Sequence, residues 1–308
     1  MKKVISIFTL CVSAVVWAQF QKVEPAFWWK GMKNPELQIL LYGKNIANQT
    51  IEISDGIQIK NLQKVENPNY VFVTVNTNEI NVPKFKINLK NGKKLISSYQ
   101  YELKERKPNS ANRDSYTSKD VFYLIMPDRF ANGDATNDSV SQLTEKVNRN
   151  DRDGRHGGDL KGIINQLEYL KNLGTTTLWL TPVCEDNEPK TTYHGYAQTD
   201  LYKIDARYGS NEDYQKLSQE LKKRDMKLVM DYVTNHWGAS HWLIKDLPTK
   251  EWIHWFDGEP NGFKRSNYKT TTQFDTNASD ADKKLALDGW FDSSMPDINQ
   301  SNPLVLKY

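Results

Sequence analysis

Three short stretches concentrate the side chains able to do chemistry. In "LVMDYVTNHWG", Leu228–Gly238, an aliphatic run gives way to Asp231, Asn235 and His236. At the carboxyl end of a strand in a parallel α/β sheet, such groups point into a ligand site. The same residues also read as an Asp that caps the next turn and a His satisfied within its loop. In "TYHGYAQTD", His194 and Tyr196 flank Gly195. An imidazole and a phenol offer a hydrogen bond beside a flat apolar face, which is what a pyranose ring presents to its binder. Taken alone, it is equally a packed loop. The third stretch, "DRFANGDATND", crowds Asp128, Asn132, Asp134, Asn137 and Asp138 around Gly133. Hard oxygen donors this dense suit calcium, which takes about 6 to 8 of them, although the spacing is not that of an EF-hand. Asn, Gly and Asp are also the ordinary turn formers. Downstream, "HGGDL" places Asp159 and a backbone carbonyl where they can join the same ion.

The elements that must position these groups follow from the periodicity. From Phe20 to about Leu103, short runs such as "LQILLYG", "TIEIS", "YVFVTVN" and "KFKINLK" alternate with turn signals at Asn67-Pro68-Asn69 and Asn91-Gly92. These predict a small β-sandwich over residues 19–105. The polar stretch at 106–119 is the expected linker. After Asp120 the pattern changes. "VFYLIMP" reads as a strand, and "LKGIINQLEYLKNLG" sets Leu160, Ile163, Ile164, Leu167 and Leu170 at helical spacing, with Gly174 as its stop. "TTTLWLTPV" is the next strand, "NEDYQKLSQELKKRD" the next helix and "KLVMDYV" a third strand, a grammar of parallel βα units. From Gly238 to Tyr308 the periodicity dissolves into an aromatic, polar segment.

Bulk properties narrow the function. Lys2 and Lys3 precede an apolar run to Val16 and the ending "VWAQ", the pattern of a secretory signal peptide over residues 1–18. Export to the periplasm or the medium is expected, without membrane insertion. The chain has 41 basic and 38 acidic residues; losing Lys2 and Lys3 leaves it near neutrality, so neither nucleic acid nor an anionic membrane is implied. Cys11 leaves with the signal and Cys184 then stands alone, so no internal disulfide is available.

In order along the chain, "DRFANGD", "RHGGDLKGI", "LWLTPV", "YHGYAQTDLYKID", "LVMDYVTNH" and "MPDINQSNP" resemble the α-amylase family of glycoside hydrolases. "VEPAFWWKGMKNPELQILLYGKNI" resembles the N-terminal module of its cyclomaltodextrinase and neopullulanase branch. The resemblance implies an immunoglobulin-like N-terminal β-sandwich followed, at 120–308, by the first part of a TIM (β/α)8 barrel: three βα units and a domain B at about 237–308. It implies hydrolysis of α-glucosidic bonds in maltodextrins, cyclodextrins or starch by a retaining route. His236 would hydrogen-bond the sugar next to the scissile bond, Tyr196 would stack on it beside His194, and Asp231 would brace the third-strand loop. A structural calcium would use Asn132, Asp134, Asn137, Asp138, Asp159 and the carbonyl of Gly157. A homodimer through the sandwich is a further implication.

The departure from the family is as informative. Retaining glycosidases need two carboxyl groups about 5 Å apart, and the family carries them after its fourth and fifth strands, with a third carboxylate after the seventh. Neither Gly-Phe-Arg-x-Asp nor Asn-His-Asp occurs after Asn235. The catalytic carboxylates are therefore expected beyond Tyr308, and this polypeptide alone is expected to be inactive. The alternative is a non-catalytic glycan-binding protein gripping starch through the sandwich and the Trp-rich segment Trp237 to Trp255. Phe27, Trp28 and Trp29 are expected mainly to pack into the sandwich core or against a neighbouring domain.

Overall fold

The computed structural model describes residues 19–112, 115–256, 262–267 and 272–308; the expected leader at 1–18 lies outside them. The chain divides into two compact units, Met1–Lys107 and Pro108–Tyr308.

Among the described residues of the first unit there are eight strands: β1 (Lys22–Glu24), β2 (Trp28–Trp29), β3 (Glu36–Tyr42), β4 (Thr50–Ile53), β5 (Ile59–Lys64), β6 (Tyr70–Asn76), β7 (Lys84–Asn91) and β8 (Lys94–Lys104). They make two four-stranded sheets, ordered β1-β3-β6-β5 and β2-β8-β7-β4. Alternate residues point to one shared core: Ile39 and Leu41 from β3, Val71, Val73 and Val75 from β6, Ile87 and Leu89 from β7. The Asn91-Gly92 signal is the β7–β8 turn, with Gly92 at a φ of 56°. Strand β5 carries no apolar alternation because it is almost wholly exposed; it forms on the ladder that β6 offers, pairing Leu62 with Val73. Trp28 packs partly against the core and Trp29 is exposed.

The second unit is built on three parallel strands, β9 (Phe122–Ile125), β10 (Thr177–Leu180) and β13 (Lys227–Met230), ordered β13-β10-β9. Register pairs Leu124 with Trp179 and Trp179 with Val229, which puts these three on one face. The opposite face, with Ile125, Leu178 and Leu180, is buried against α2 (Leu160–Asn165), α3 (Leu167–Asn172) and α4 (Asn211–Lys222). The helix expected over 160–173 is divided at Gln166, whose N–H tightens onto the Ile163 carbonyl at 3.0 Å; both halves keep the stripe Leu160, Ile163, Leu167 and Leu170 buried. Gly174 ends it at a φ of 91°, and Ser210 starts α4 through a capping box with Asp213. A short antiparallel pair, β11 (Cys184–Glu185) and β12 (Asp200–Ile204), follows β10.

Beyond β13 the chain forms α5 (Trp242–Lys245), α6 (Asp280–Asp288) and α7 (Pro303–Lys307), tied by isolated bridges such as His236 to Asp297 and Ile253 to Ile298. The expectation that Trp237 to Trp255 grips a glycan is corrected for two of its four tryptophans. Trp237 and Trp252 are buried, Trp237 stacked on His241 at 4.7 Å, because this segment has no helix or strand stripe with which to build a core and uses its rings instead.

The loops between β10 and α4 close over a buried ion pair. Arg207 reaches both oxygens of Asp205, through Nε at 2.9 Å and Nη2 at 2.6 Å, and also donates to the carbonyls of Glu145 and Asp186. Burial alone would raise the Asp205 carboxyl; the Arg207 hydrogen bonds and charge hold it below the usual carboxylate range. Removing the guanidinium would strand a buried carboxylate. Arg207→Ala is expected to cost about 3–5 kcal/mol, read as a lowered urea midpoint for the second unit, whereas Lys203→Ala, at an exposed pair, is expected to leave that midpoint nearly unchanged.

Candidate active site

The site is assembled where β10 and β13 end. After β10 the chain turns through Pro182 into a loop that returns at Thr192–His194, one turn of 3-10 helix. Gly195 follows at a φ of 78°, and a Cβ there would fall 2.0 Å from the Pro182 carbonyl oxygen, so only glycine fits between the two rings. The Tyr196 N–H donates to His194 Nδ1 at 2.9 Å, and the two rings lie 5.8 Å apart. The loop is held from the far side by Glu145, whose carboxylate accepts the N–H groups of Thr191 and Thr192 and the Thr192 hydroxyl at 2.6–3.0 Å.

Asp231, one residue past β13, meets this loop. The Tyr196 hydroxyl donates to Asp231 Oδ2 at 3.1 Å, and the indole N–H of Trp179 donates to the same oxygen at 3.2 Å. Burial, then the Asp231 charge, pushes the Tyr196 phenol above its ordinary value. Burial lowers the His194 imidazole, against the opposing charge of Glu145.

His236 is buried, with its Nε2 lacking a hydrogen-bond partner, and its ring stacks on Phe291 at 5.2 Å and 24°. Burial drives its pKa from 6.5 down to about 4; the neighbouring Tyr196 backbone opposes this and the His194 imidazole adds to it. The imidazole is therefore neutral at pH 7. The Asn235 amide nitrogen sits between two partners, donating to Asp297 Oδ1 at 3.1 Å and lying 3.4 Å from His236 Nδ1, while Asp297 Oδ2 pairs with His254 Nδ1 at 2.7 Å. Thus His194, Tyr196, Asp231 and His236 come together, and Asn235 instead ties the third-strand loop to "MPDIN".

The oxygen-rich loop after β9 is organised by two carboxylates. Asp128, fully buried, accepts the N–H groups of His156 and Gly157 and the Arg129 Nε–H. Asp159 caps α2 through Gly162 N at 2.6 Å and also accepts from the N–H groups of Gly133 and Asp134. Asp134 bonds Thr136 and Lys161. Asn132 donates to Asp138 Oδ1 at 2.6 Å, and a Cβ on Gly157 would lie 2.6 Å from that same oxygen. Asn137 Oδ1 is buried without a partner. Asn132, Asp138 and Gly157 are thus gathered, with Asp138 Oδ2 paired to the Arg149 guanidinium at 2.7 Å, and the carboxylates of Asp134 and Asp159 are likewise occupied by local donors. Among the described residues no three His, Cys, Asp or Glu side chains converge as a metal-binding group; a cation here would draw on amide and carbonyl oxygens.

Trp179, Phe291, Glu145 and Asp297 were not singled out by sequence reasoning for these contacts. Only Trp179 carried a usable signal: it alternates with the buried Leu178 and Leu180, so it belongs to the other sheet face.

Comparison with known proteins places this geometry in a family. Residues 124–308 match the alpha amylase catalytic domain and residues 22–107 the cyclomaltodextrinase N-terminal domain. The chain belongs to the α-amylase family of glycoside hydrolases. It is 40% identical over 131 residues to the β/α-amylase of Paenibacillus polymyxa, covering 42% of this chain and 10% of that one. It is 34% identical over 158 residues to neopullulanase 2 of Thermoactinomyces vulgaris, covering 49% and 26%. An Anoxybacillus α-amylase crystal structure aligns with a TM-score of 0.49 at 36% identity, over 61% of this chain and 35% of that one. The chain thus spans well under half the length of these relatives.

The buried neutral His236 sets a pH dependence. Its folded pKa lies below its unfolded one, so the unfolded chain takes up a proton first as pH falls from 6.5 towards 4. Stability of the second unit is expected to drop through that window by roughly 1.4 kcal/mol per pH unit at the steepest. Urea midpoints compared at pH 7.5 and 5 test this; a drop undiminished in His236→Gln would assign it elsewhere.

Proposed function

We propose that the protein acts on α-glucans, its second unit supplying the sugar-stacking side of a retaining α-glucosidic site of cyclomaltodextrinase or neopullulanase type. In this reading the sandwich is immunoglobulin-like and the parallel sheet is the first three strands of an eight-stranded barrel, with domain B at about 237–308. The observation that carries it is the convergence of His194, Tyr196, Asp231 and His236 at the carboxyl ends of parallel strands, where ligands bind in α/β barrels. The Tyr196 ring offers a flat apolar face to a pyranose. His236 contributes a neutral ring whose buried, unpartnered Nε2 is satisfied by a sugar hydroxyl, so binding removes a penalty the free site carries.

Double displacement by retention needs a nucleophile and an acid about 5 Å apart. These 308 residues contain neither of the family's motifs for such groups after Asn235, and Asp231 is engaged by Tyr196 and Trp179. The expected outcome is binding of maltoheptaose without turnover by the purified 308-residue chain. Titration calorimetry should show Tyr196→Ala losing about tenfold or more in affinity, the scale of a stacked aromatic. Release of glucose or maltose from β-cyclodextrin, abolished by His236→Ala, would contradict the absence of turnover.

The loop after β9 fits a structural calcium. Asn132, Asn137, Asp138 and the Gly157 carbonyl would hold it, with Asp134 and Asp159 joining through side chains now spent on local donors. The buried, partnerless Asn137 Oδ1 supports this. So does the crowding of Asp138 against Gly157 and Asn132, where the orientation of the Asn132 amide follows from its partner and would reverse towards a cation. When bound, the ion would share the Asp138 carboxylate with Arg149 and pin the loop. Excess chelator is expected to lower the melting temperature and calcium to restore it; an unchanged melt would argue against the ion. Export by the 1–18 leader and dimerisation through the sandwich complete the proposal.

A further inference from the structure

The candidate site contains one contact that the proposed sugar chemistry does not by itself require. Asp231 Oδ2 accepts two hydrogen bonds at once, from the Tyr196 hydroxyl at 3.1 Å and from the Trp179 indole at 3.2 Å. The three residues come from three places: Trp179 from the third position of β10, Asp231 from just after β13, and Tyr196 from the loop that follows β10. Trp179 and Val229 are register partners on neighbouring strands, so the indole lies on the sheet face from which Asp231 is approached.

A carboxylate on a single bond from Cβ can turn about its last torsion, which is broad and roughly two-fold. With one donor, that rotation leaves the phenol free to follow it. A second donor, fixed on the adjacent strand, removes the freedom. Trp suits this task because indole is donor-only and rigid, with two side-chain torsions and a ring too large to swing. Phe, Leu or Ile at this strand position would fill the same space without the N–H. The pucker of the loop adds the other constraint: the Tyr196 backbone N–H is held on His194 Nδ1, so ring plane and backbone are both set before any ligand arrives. The raised phenol keeps Tyr196 the donor in this contact throughout the neutral range.

We infer that Trp179 is a positioning residue for α-glucan binding: through the shared Asp231 oxygen it fixes the plane of the Tyr196 ring on which the sugar stacks. The role needs no sugar contact from Trp179 itself. The inference rests on the reading of Tyr196 as a stacking platform and names the residue that orients it. Preorganising a platform raises affinity by removing an ordering cost that binding would otherwise bear.

A double-mutant cycle separates positioning from packing, because a residue that only packs acts independently of the Tyr196 hydroxyl. In the full chain, Trp179→Phe keeps the bulk and removes the N–H. Maltoheptaose affinity by titration calorimetry is expected to fall about fivefold, the worth of roughly one hydrogen bond. In a Tyr196→Phe background, where the ring no longer reaches Asp231, the same change is expected to alter affinity less than about twofold. Equal losses in the two backgrounds, or no loss in either, would overturn the inference.

A second measurement stands apart from glucan binding. In a spectrum of the 15N-labelled tryptophan indoles, the peak absent from Trp179→Phe is expected to move on Asp231→Asn and on Tyr196→Phe. If maltoheptaose does not bind the unmodified chain, the α-glucan reading fails on its own, and this peak still decides the contact. Its insensitivity to both changes would remove the shared oxygen, and with it the role of Trp179.

Discussion

Long loops at the carboxyl ends of a parallel sheet pose one problem before any chemistry arises: their backbone N–H groups are buried without a ladder to pair them. A buried unpaired N–H costs as much as a lost hydrogen bond. Here carboxylates take the place of the ladder. Asp128 accepts from His156 and Gly157, Asp159 from Gly133, Asp134 and Gly162, Glu145 from Thr191 and Thr192, and Asp186 from Glu188 and Ala197. The loops after β9 and β10 are fastened this way, and the loop after β13 is tied through the Asn235 side-chain amide to Asp297. The density of acids in these segments is therefore mainly a consequence of loop length, and only a few of them remain for anything else.

That accounting decides which acids are open to a ligand. Asp159 is consumed by three backbone donors, so its place in an ion site is secondary to its place as a cap. Asp186 is buried beside Asp205, and burial raises its carboxyl well above the ordinary range, with the Glu188 N–H opposing. Asp205 escapes the same fate because Arg207 reaches it with two nitrogens. Two neighbouring buried carboxylates thus sit on opposite sides of the normal range: Arg207 hydrogen-bonds the Asp205 carboxylate directly, with the Arg155 charge adding to it, and reaches Asp186 only at its backbone carbonyl.

Much of the scaffold was legible from hydrophobic period alone. Strands β3, β6, β7, β9 and β10 fall on runs where alternation or continuous apolarity is strong, and α4 on a helical stripe closed by a capping box. Strand β5 was not, since five of its six residues are exposed and the information that makes it a strand lies in β6. Nor were α6 and α7, which bury little and start from Ser279 and Asn302 caps within a segment of mixed composition. At the site, the residues named from sequence are those whose type is chemically unusual in a loop: His194, Tyr196, Asp231 and His236. Their partners escaped notice because nothing local marks them. Phe291 stacks on His236 from 55 positions away in the chain, and Glu145 reaches Thr192 across 47. Such pairings are set by tertiary geometry, which no window of sequence contains.

The aromatic segment after β13 shows the same limit from the other side. Nine tryptophans in a chain of low net charge suggest sugar platforms, yet Trp237 and Trp252 are core. Among its described residues this segment has three short α-helices and isolated bridges with few aliphatic stripes, so large rings supply the apolar area that folding it demands. Trp290 gives its N–H to the His254 carbonyl and Trp255 gives its own to Lys250, which satisfies the polar edge that burial of an indole otherwise strands. Trp179 differs in kind. It stands half exposed on a strand whose alternate residues are fully buried, and its N–H goes to a side chain of the site instead of a nearby carbonyl. An indole used for volume donates to whatever backbone lies beside it; one that reaches past the neighbouring strand to a single carboxylate oxygen fixes a geometry.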